Sequence, residues 1–442
     1  MVSGDELGPF LDGAVSVELG DGWLCPWRLR VEDRSRLDPG LMAMASCAAV
    51  RIRLESATEL LVLMAEAHAP QGADVEALRR TAGPLEYELY VDGKFFDRQL
   101  PKEEAGSPHE VRFADLPSGK KLLEIFLPTS RPLRLRRLET DGSEVWPCSQ
   151  PRRTWLCYGS SISHGGPSAG RASCIWPSLV ARAADVKLVN MGFGGECYLD
   201  PIVARTMRDI MCDVITLEVG INIQTTAAMT RRVFRSAFEG FVETLRDGHP
   251  KVPIVVISPL WYGPLEERAP VGGSSFMSLK DLRSCLLTSI NTIKAGGDEQ
   301  LFYIDGLTLL GRGEEKMLFD KLHPGPEGNE LIAQRLLACC SVLGSCENAA
   351  ASTPSPQLPK LTTGGYLVDM PGEGRSRLVI KEQGAALLAV SERQDWPPAL
   401  VHQRDEFVFI CSFPGVWGRY TDGRVVFNNG TVWQSIRGPY AE

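Results

Sequence analysis

Ser161 lies in Gly159-Ser160-Ser161-Ile162-Ser163, and far downstream Asp320 and His323 stand three residues apart in Asp320-Lys321-Leu322-His323. Together these residue types can perform nucleophilic acyl chemistry. A serine hydroxyl attacks a carbonyl carbon when an imidazole removes its proton, and the imidazole works best when a carboxylate holds its tautomer. Asp and His at this spacing can supply that pair from one loop entering a helix. Ester chemistry also needs donors aimed at the developing oxyanion. Two intervening segments offer them. In Val189-Asn190-Met191-Gly192-Phe193-Gly194-Gly195-Glu196 a strand ends in small residues that leave backbone N–H groups open. In Asp213-Val214-Ile215-Thr216-Leu217-Glu218-Val219-Gly220-Ile221-Asn222 an apolar strand ends in an Asn amide, a good donor at a strand tip.

These groups need a scaffold. The β-like run Thr154-Trp155-Leu156-Cys157-Tyr158 leads into Ser161, which is where a parallel sheet presents chemistry, at the carboxyl end of a strand. Further strands are expected near 186–191, 213–219, 252–258 and 301–305. Helical patterns lie between and after them: 175–184; the set Phe234, Phe238, Phe241, Val242 and Leu245 at three-to-four spacing; and Leu331, Leu336 and Leu337 after His323. Strand–helix alternation predicts a three-layer α/β/α domain around a parallel sheet.

With four segments on the page, the chain resembles a known family, the SGNH (GDSL-type) hydrolases, over roughly residues 150–342. Those enzymes carry Ser, Gly, Asn and His in four blocks in this order; here they read Gly-Ser-Ser-Ile-Ser, Asn-Met-Gly-Phe-Gly-Gly, Gly-Ile-Asn and Asp-Lys-Leu-His-Pro. The resemblance implies Ser161 as nucleophile, His323 as base and Asp320 as its orienting carboxylate. It implies an oxyanion hole made of the Ser161 N–H, the Gly195 N–H and the Asn222 side chain. Two positions depart from the common pattern: Ser160 stands where many members have Asp, and Ile223 follows the Asn where Asp is common. Tyr-Gly-Ser-Ser-Ile-Ser-His-Gly-Gly followed by a Trp-Pro helix looks most like a subgroup with an N-terminal β-sandwich, which holds esterases and an acyltransferase of polyketide tailoring.

Each element also has a local alternative. Asp320 can cap a helix by accepting backbone N–H groups, the glycines can be a plain tight connection, and Asn222 can cap a helix. The catalytic reading predicts all four segments at once and in order. His164 and Glu196 are candidates for lining the substrate site, with a solvent-facing loop histidine as the alternative for His164. For Glu196 and Glu218 partial solvation with a backbone partner is expected, and for Arg171 a surface role. His68, His109, His249 and His402 show no metal-ligand spacing, and no metal or other cofactor is expected.

At 442 residues the chain has room for two or three domains, and 44% apolar residues supply a sizeable core. The net charge of −8 with no strongly basic stripe argues against nucleic acid as the partner. The expected partner is a small-molecule or carbohydrate acyl ester, with oligomeric state left open. The first residues lack a basic stretch followed by an apolar run, and no apolar run reaches membrane-spanning length. The 12 cysteines form no Cys-x-x-Cys, so reduced thiols in a cytoplasmic protein are expected.

Four regions follow. Residues 1–147 read as a β-sandwich, of jelly-roll type by the resemblance: Val50-Arg51-Ile52-Arg53-Leu54-Glu55 and Leu85-Glu86-Tyr87-Glu88-Leu89-Tyr90-Val91 alternate, the second ahead of an Asp92-Gly93 turn. Leu122-Leu123-Glu124-Ile125-Phe126-Leu127 is another strand, and Arg131 to Arg137 a strand with one solvated Arg face. Residues 148–346 hold the catalytic pattern. Residues 347–363 are a flexible linker. Residues 364–442 form a small β-rich module with a hairpin turning at Asn429-Gly430, a strand candidate at 407–413, and Trp396, Trp417 and Trp433. The leading function is a serine esterase acting on small acyl esters. An acyltransferase using the same acyl-enzyme is the alternative, and a catalytically silent carbohydrate- or peptide-binding protein the third.

Overall fold

Alternating side chains decide the layers. In the computed structural model, Trp155 and Cys157 of the strand Thr154–Gly159 pack into one buried cluster, while Leu156 and Tyr158 pack into another. Successive strand residues point to opposite faces, so a strand apolar at every position must be covered on both sides. The structure describes residues 1–442 except 46–47, 77, 79–82, 103–106, 130, 149–151, 272–274, 344–363, 371–373, 384–385, 392–398, 405–406, 411–416, 422–423, 428–431 and 436–442; beyond 363 it describes the side chains of Val425 and Val432.

The covered sheet has five parallel strands in the order Lys187–Gly192, Thr154–Gly159, Val214–Glu218, Ile254–Ile257 and Leu301–Ile304. Leu156 pairs with Val189 on one side and Ile215 on the other. On one face lies Arg231–Gly248, whose Phe234, Phe238, Phe241, Val242 and Leu245 are buried in a single stripe. On the other lie Trp176–Ala183 and Pro326–Cys339, which contribute Trp176, Val180, Ile332 and Leu336. This is the expected α/β/α sandwich.

Ahead of it, two antiparallel sheets form a β-sandwich. One runs Ser16–Gly20, Trp23–Trp27, Leu133–Thr140, Leu61–Ala67, His109–Phe113. The other includes Arg51–Ser56, Lys121–Phe126, Tyr87–Val91 and Lys94–Gln99. Their inward residues, Leu54, Leu63, Leu89, Phe113, Ile125 and Leu135 among them, make one core. The basic strand keeps Leu133, Leu135 and Leu138 inward because the register shifts between Leu135 and Arg137. Without that bulge the doublet Arg136-Arg137 would turn Leu138 outward.

Met1–Trp146 and Arg152–Ser345 make one compact unit. The reason is shared burial: Trp27, Leu29 and residues 41–45 from the first region lie in the same cluster as Tyr158, Phe193 and Phe241. A buried ionic group reinforces it, Asp12 pairing with Arg51 and with Arg152 at 2.8 and 2.7 Å. Burial opposes the charge on Asp12, but the two guanidiniums hold its carboxyl far below the usual range.

The second unit contains a closed barrel of eight antiparallel strands, from Gly364–Met370 to Val432–Ser435, with Val368 opposite Trp433 closing the ring. Val425 pairs with Trp433, as the hairpin reading expects, and 407–413 contains the strand Phe407–Ile410. The linker, the Asn429-Gly430 turn and Trp396 lie outside the described residues. Among the described residues, no helix is long and apolar enough to cross a membrane.

Candidate active site

The strand Thr154–Gly159 ends at the helix Ser161–His164, whose N-cap Ser160 accepts the Ile162 N–H at 3.2 Å. This turn carries three serines in four positions. Ser160 and Ser163 are fully buried, whereas Ser161 is half-buried and its Oγ lies 2.8 Å from His323 Nε2.

His323 arrives from the loop ahead of Pro326–Cys339. Phe319 N–H donates to the His323 carbonyl at 2.8 Å, and Leu318 and Pro324 form an isolated bridge, so 318–324 is a closed hairpin-like turn. Asp320 sits inside it and does two things. Its Oδ1 accepts the N–H groups of Leu322 and His323, and its Oδ2 accepts from His323 Nδ1 at 2.7 Å. One oxygen of the carboxylate thus closes its own turn and the other orients the ring; the helix-cap alternative does not hold, because Pro326–Cys339 starts at Gly325 without a side-chain cap. Burial opposes the charge on Asp320, but the hydrogen bonds from the His323 amide and ring outweigh it and hold the carboxyl below its ordinary value.

The two donor segments follow the neighbouring strands Lys187–Gly192 and Val214–Glu218, which flank Thr154–Gly159 in the sheet. After Lys187–Gly192 the chain turns through Gly195, an exposed residue with φ +78°, a conformation that side chains disfavour and glycine adopts freely. Asn222 sits in the first turn of Ile221–Thr225 and is 9% exposed. Its Oδ1 accepts the Cys197 N–H at 3.2 Å, which leaves the amide NH2 end as a donor without a partner among the described residues. The Gly195 loop thus orients the Asn222 amide.

His164 lies differently from expectation. His164 is 1% exposed, with Nδ1 2.9 Å from the Gly192 carbonyl and 3.1 Å from Arg28 Nη2. Burial, and then the Arg28 charge, push its pKa down to about 3, so the ring is neutral. It is a packed element under the Gly192 loop rather than a solvent-facing or pocket-lining group. The cause is the approach of the Gly192 carbonyl and Arg28, which close over the last residue of a four-residue helix. Glu196 is half-buried and packs against Gly40. Glu218 is not partly solvated but 2% exposed. Arg171 is half-buried, stacking over Phe95 at 4.9 Å.

Two residues here have roles that the sequence reading did not assign. Asn190 bridges two blocks: its Nδ2 donates to the Ser163 carbonyl and its Oδ1 accepts the Gly192 N–H, both at 2.8 Å. Arg28 comes from the β-sandwich and is fully buried. It donates to the carbonyls of Asn190 at 2.6 Å, Gly192 at 2.7 Å and Met44, and lies 5.0 Å over the Phe193 ring. Its removal takes a buried donor from three carbonyls, of which Gly192 keeps His164 Nδ1 at 2.9 Å, and each acceptor left unsatisfied costs roughly 1–3 kcal/mol. Arg28→Met is therefore expected to destabilise the first unit by about 3 kcal/mol, read as a lower urea midpoint; an unchanged midpoint would show the guanidinium to be dispensable.

Residues 152–339 match the model of the GDSL-like lipase/acylhydrolase family. This segment is a GDSL-like lipase/acylhydrolase domain. Solved structures extend the likeness beyond the GDSL-like domain. A salicylyl-acyltransferase from a tetracycline biosynthetic pathway is 28% identical with a TM-score of 0.66, over 75% of this chain and 94% of that one. A protein described as a GDSL-like lipase from Bacteroides ovatus is 20% identical with a TM-score of 0.61, over 77% and 97%. A family two carbohydrate esterase from Clostridium thermocellum, solved with cellohexaose, is 13% identical with a TM-score of 0.53, over 74% and 97%. No curated protein matches the chain.

Proposed function

We propose that the chain is a serine esterase that cleaves small acyl esters through an acyl-enzyme on Ser161. The observation that carries this reading is the continuous relay from Ser161 Oγ to His323 Nε2 at 2.8 Å and from His323 Nδ1 to Asp320 at 2.7 Å. Ser161 Oγ attacks the acyl carbon as His323 Nε2 takes its proton. The oxyanion is met by the N–H groups of Ser161 and Gly195 and by the Asn222 amide. Collapse breaks the ester C–O bond, and His323 returns the proton to the departing alcohol. Water then attacks the acyl-enzyme, His323 taking its proton, and the acid leaves with Ser161 restored. The steps call on protein groups and water alone.

Exposure favours water as the second nucleophile. The Asp320 side chain is 46% exposed and that of His323 27%, so bulk solvent reaches the relay. Transfer to an alcohol is the second reading, supported by the 28% identity to a salicylyl-acyltransferase. The substrate class proposed is a small-molecule or carbohydrate acyl ester.

A ladder of p-nitrophenyl esters from acetate to decanoate, each with and without an added alcohol, tests the reading. Release of free acid at every alcohol concentration is the expected result. Fluorophosphonate labelling with product ester formed only when alcohol is present would make the chain an acyltransferase. Neither labelling nor turnover would bring the silent binding protein forward.

A further inference from the structure

The Ser161 turn rests on a buried carboxylate that the relay does not use. Glu218 ends the strand Val214–Glu218, next to Thr154–Gly159 in the sheet. One of its oxygens, Oε2, accepts three donors: the Ser160 N–H at 2.8 Å, the Ser160 hydroxyl at 2.8 Å and the Ser163 hydroxyl at 3.2 Å. The other, Oε1, is buried with no partner among the described residues. An acceptor-only oxygen forces both hydroxyls to act as donors. That leaves a Ser160 Oγ lone pair for the Ile162 N–H, the bond that caps the helix carrying Ser161. Glu218 therefore holds the residue before Ser161 by its amide and by its hydroxyl, and the second turn residue after Ser161 by another hydroxyl. Gly159 makes this approach possible: a Cβ there would lie 2.8 Å from Glu218 Oε2 and would collide with Ser163 Oγ.

We propose that Glu218, as the ionised carboxylate, is the positioning residue for Ser161, fixing the turn so that the Ser161 N–H and Oγ are set at once toward oxyanion and base. It rests on the reading of Ser161 as nucleophile. It also accounts for the Ser160 departure from the common Asp: a serine hydroxyl here donates to a carboxylate supplied by the neighbouring strand.

Burial pushes the Glu218 pKa up to about 7, although its three donors work against the rise. The titratable neighbours stay neutral over this range. Burial, and the charge of Glu218 itself, raise the Cys197 thiol; burial raises Cys157 on the adjacent strand; His164 on the Ser161 helix is neutral. Because the folded pKa of this acid is raised from 4.5, its contribution to stability is full below about 4.5 and is lost as the pH rises through about 7. Above that, the protein keeps a buried charge at a cost in stability, and the active turn uses the charge.

The test is Glu218→Gln beside wild type and Ser161→Ala, across pH 5 to 9. Gln keeps the shape but is a weaker acceptor. Its kcat is expected to fall about 10²-fold, the scale of a small misplacement of a reacting group, with KM nearly unchanged. The acid limb of its kcat profile should lose one ionisation, and its Tm at pH 8 should equal or exceed that of wild type. Wild-type kcat with an unaltered acid limb would overturn the proposal. So would a kcat loss that merely tracks a lower Tm at pH 8. Should the Gln variant not fold, Ser163→Ala removes one donor to the charged form, and its acid limb should move to higher pH; an unmoved limb overturns the proposal. Fluorophosphonate labelling retained in Ser161→Ala would instead sink the nucleophile assignment, whatever Glu218 does.

Discussion

Ser161→Ala is expected to lower kcat about 10⁴–10⁶-fold and abolish fluorophosphonate labelling while leaving the fold intact. At about 1.4 kcal/mol per decade, that is roughly 5–8 kcal/mol of transition-state stabilisation. The size follows from the mechanism. The hydroxyl supplies the bond that splits one difficult step into two, so His323 and Asp320 have no proton to move without it. What remains is binding and the oxyanion donors. No neighbouring hydroxyl can substitute: Ser160 and Ser163 are fully buried and committed to Glu218. The fold should hold because Ser161 is half-buried and its hydroxyl bonds the partly exposed His323 rather than a core group. Initial rates with a short-chain ester and gel fluorescence of the probe check both parts. Activity within tenfold of wild type, or persistent labelling, would remove Ser161 from the nucleophile role.

Asn222→Ala should cost about 2.7–4 kcal/mol, or 10²–10³ in kcat, as the loss of an oxyanion donor does elsewhere. Donors of this kind matter because they are aimed before the charge forms and need no reorganisation when it does. Here the aim is set from behind, by the Cys197 N–H on Asn222 Oδ1. Asn222→Asp separates aim from charge: the side chain keeps the Cys197 bond but presents an acceptor to the oxyanion, so its loss should match or exceed that of Ala. Single-turnover acylation with p-nitrophenyl acetate isolates this step. Near-normal acylation in Asn222→Ala would dismiss the amide from the oxyanion hole, leaving Gly195 and Ser161 as its donors.

Several features of this chain were decided by the sequence alone. Largely apolar runs at 154–158 and 213–219 call for a sheet covered on both faces, and the five-residue apolar stripe from Phe234 to Leu245, at three-to-four spacing, calls for a helix lying on it. Both are local periodicities, so they survive without knowledge of any partner. Asp320 and His323 are likewise local: three residues apart in one turn, they meet because the turn closes on itself. The order of the Ser, Gly, Asn and His segments told which strand ends would be brought together, since a parallel sheet gathers its carboxyl ends at one edge.

Tertiary structure decided the rest, because burial is a property of what arrives from elsewhere in the chain. Glu218 and Glu196 look alike in sequence, each a carboxylate near a donor segment. One is sealed under the Ser161 turn, and the other is half-buried against Gly40. His164 reads as a loop residue until the Gly192 carbonyl and Arg28 close over it. Arg28 has no motif at all, and it reaches the Asn190 and Gly192 carbonyls from 162 and 164 residues away in the chain. No periodicity can encode such a contact. It exists because Trp27 and its neighbours share a core with the parallel sheet, and a guanidinium carried into that core must find carbonyls to satisfy it.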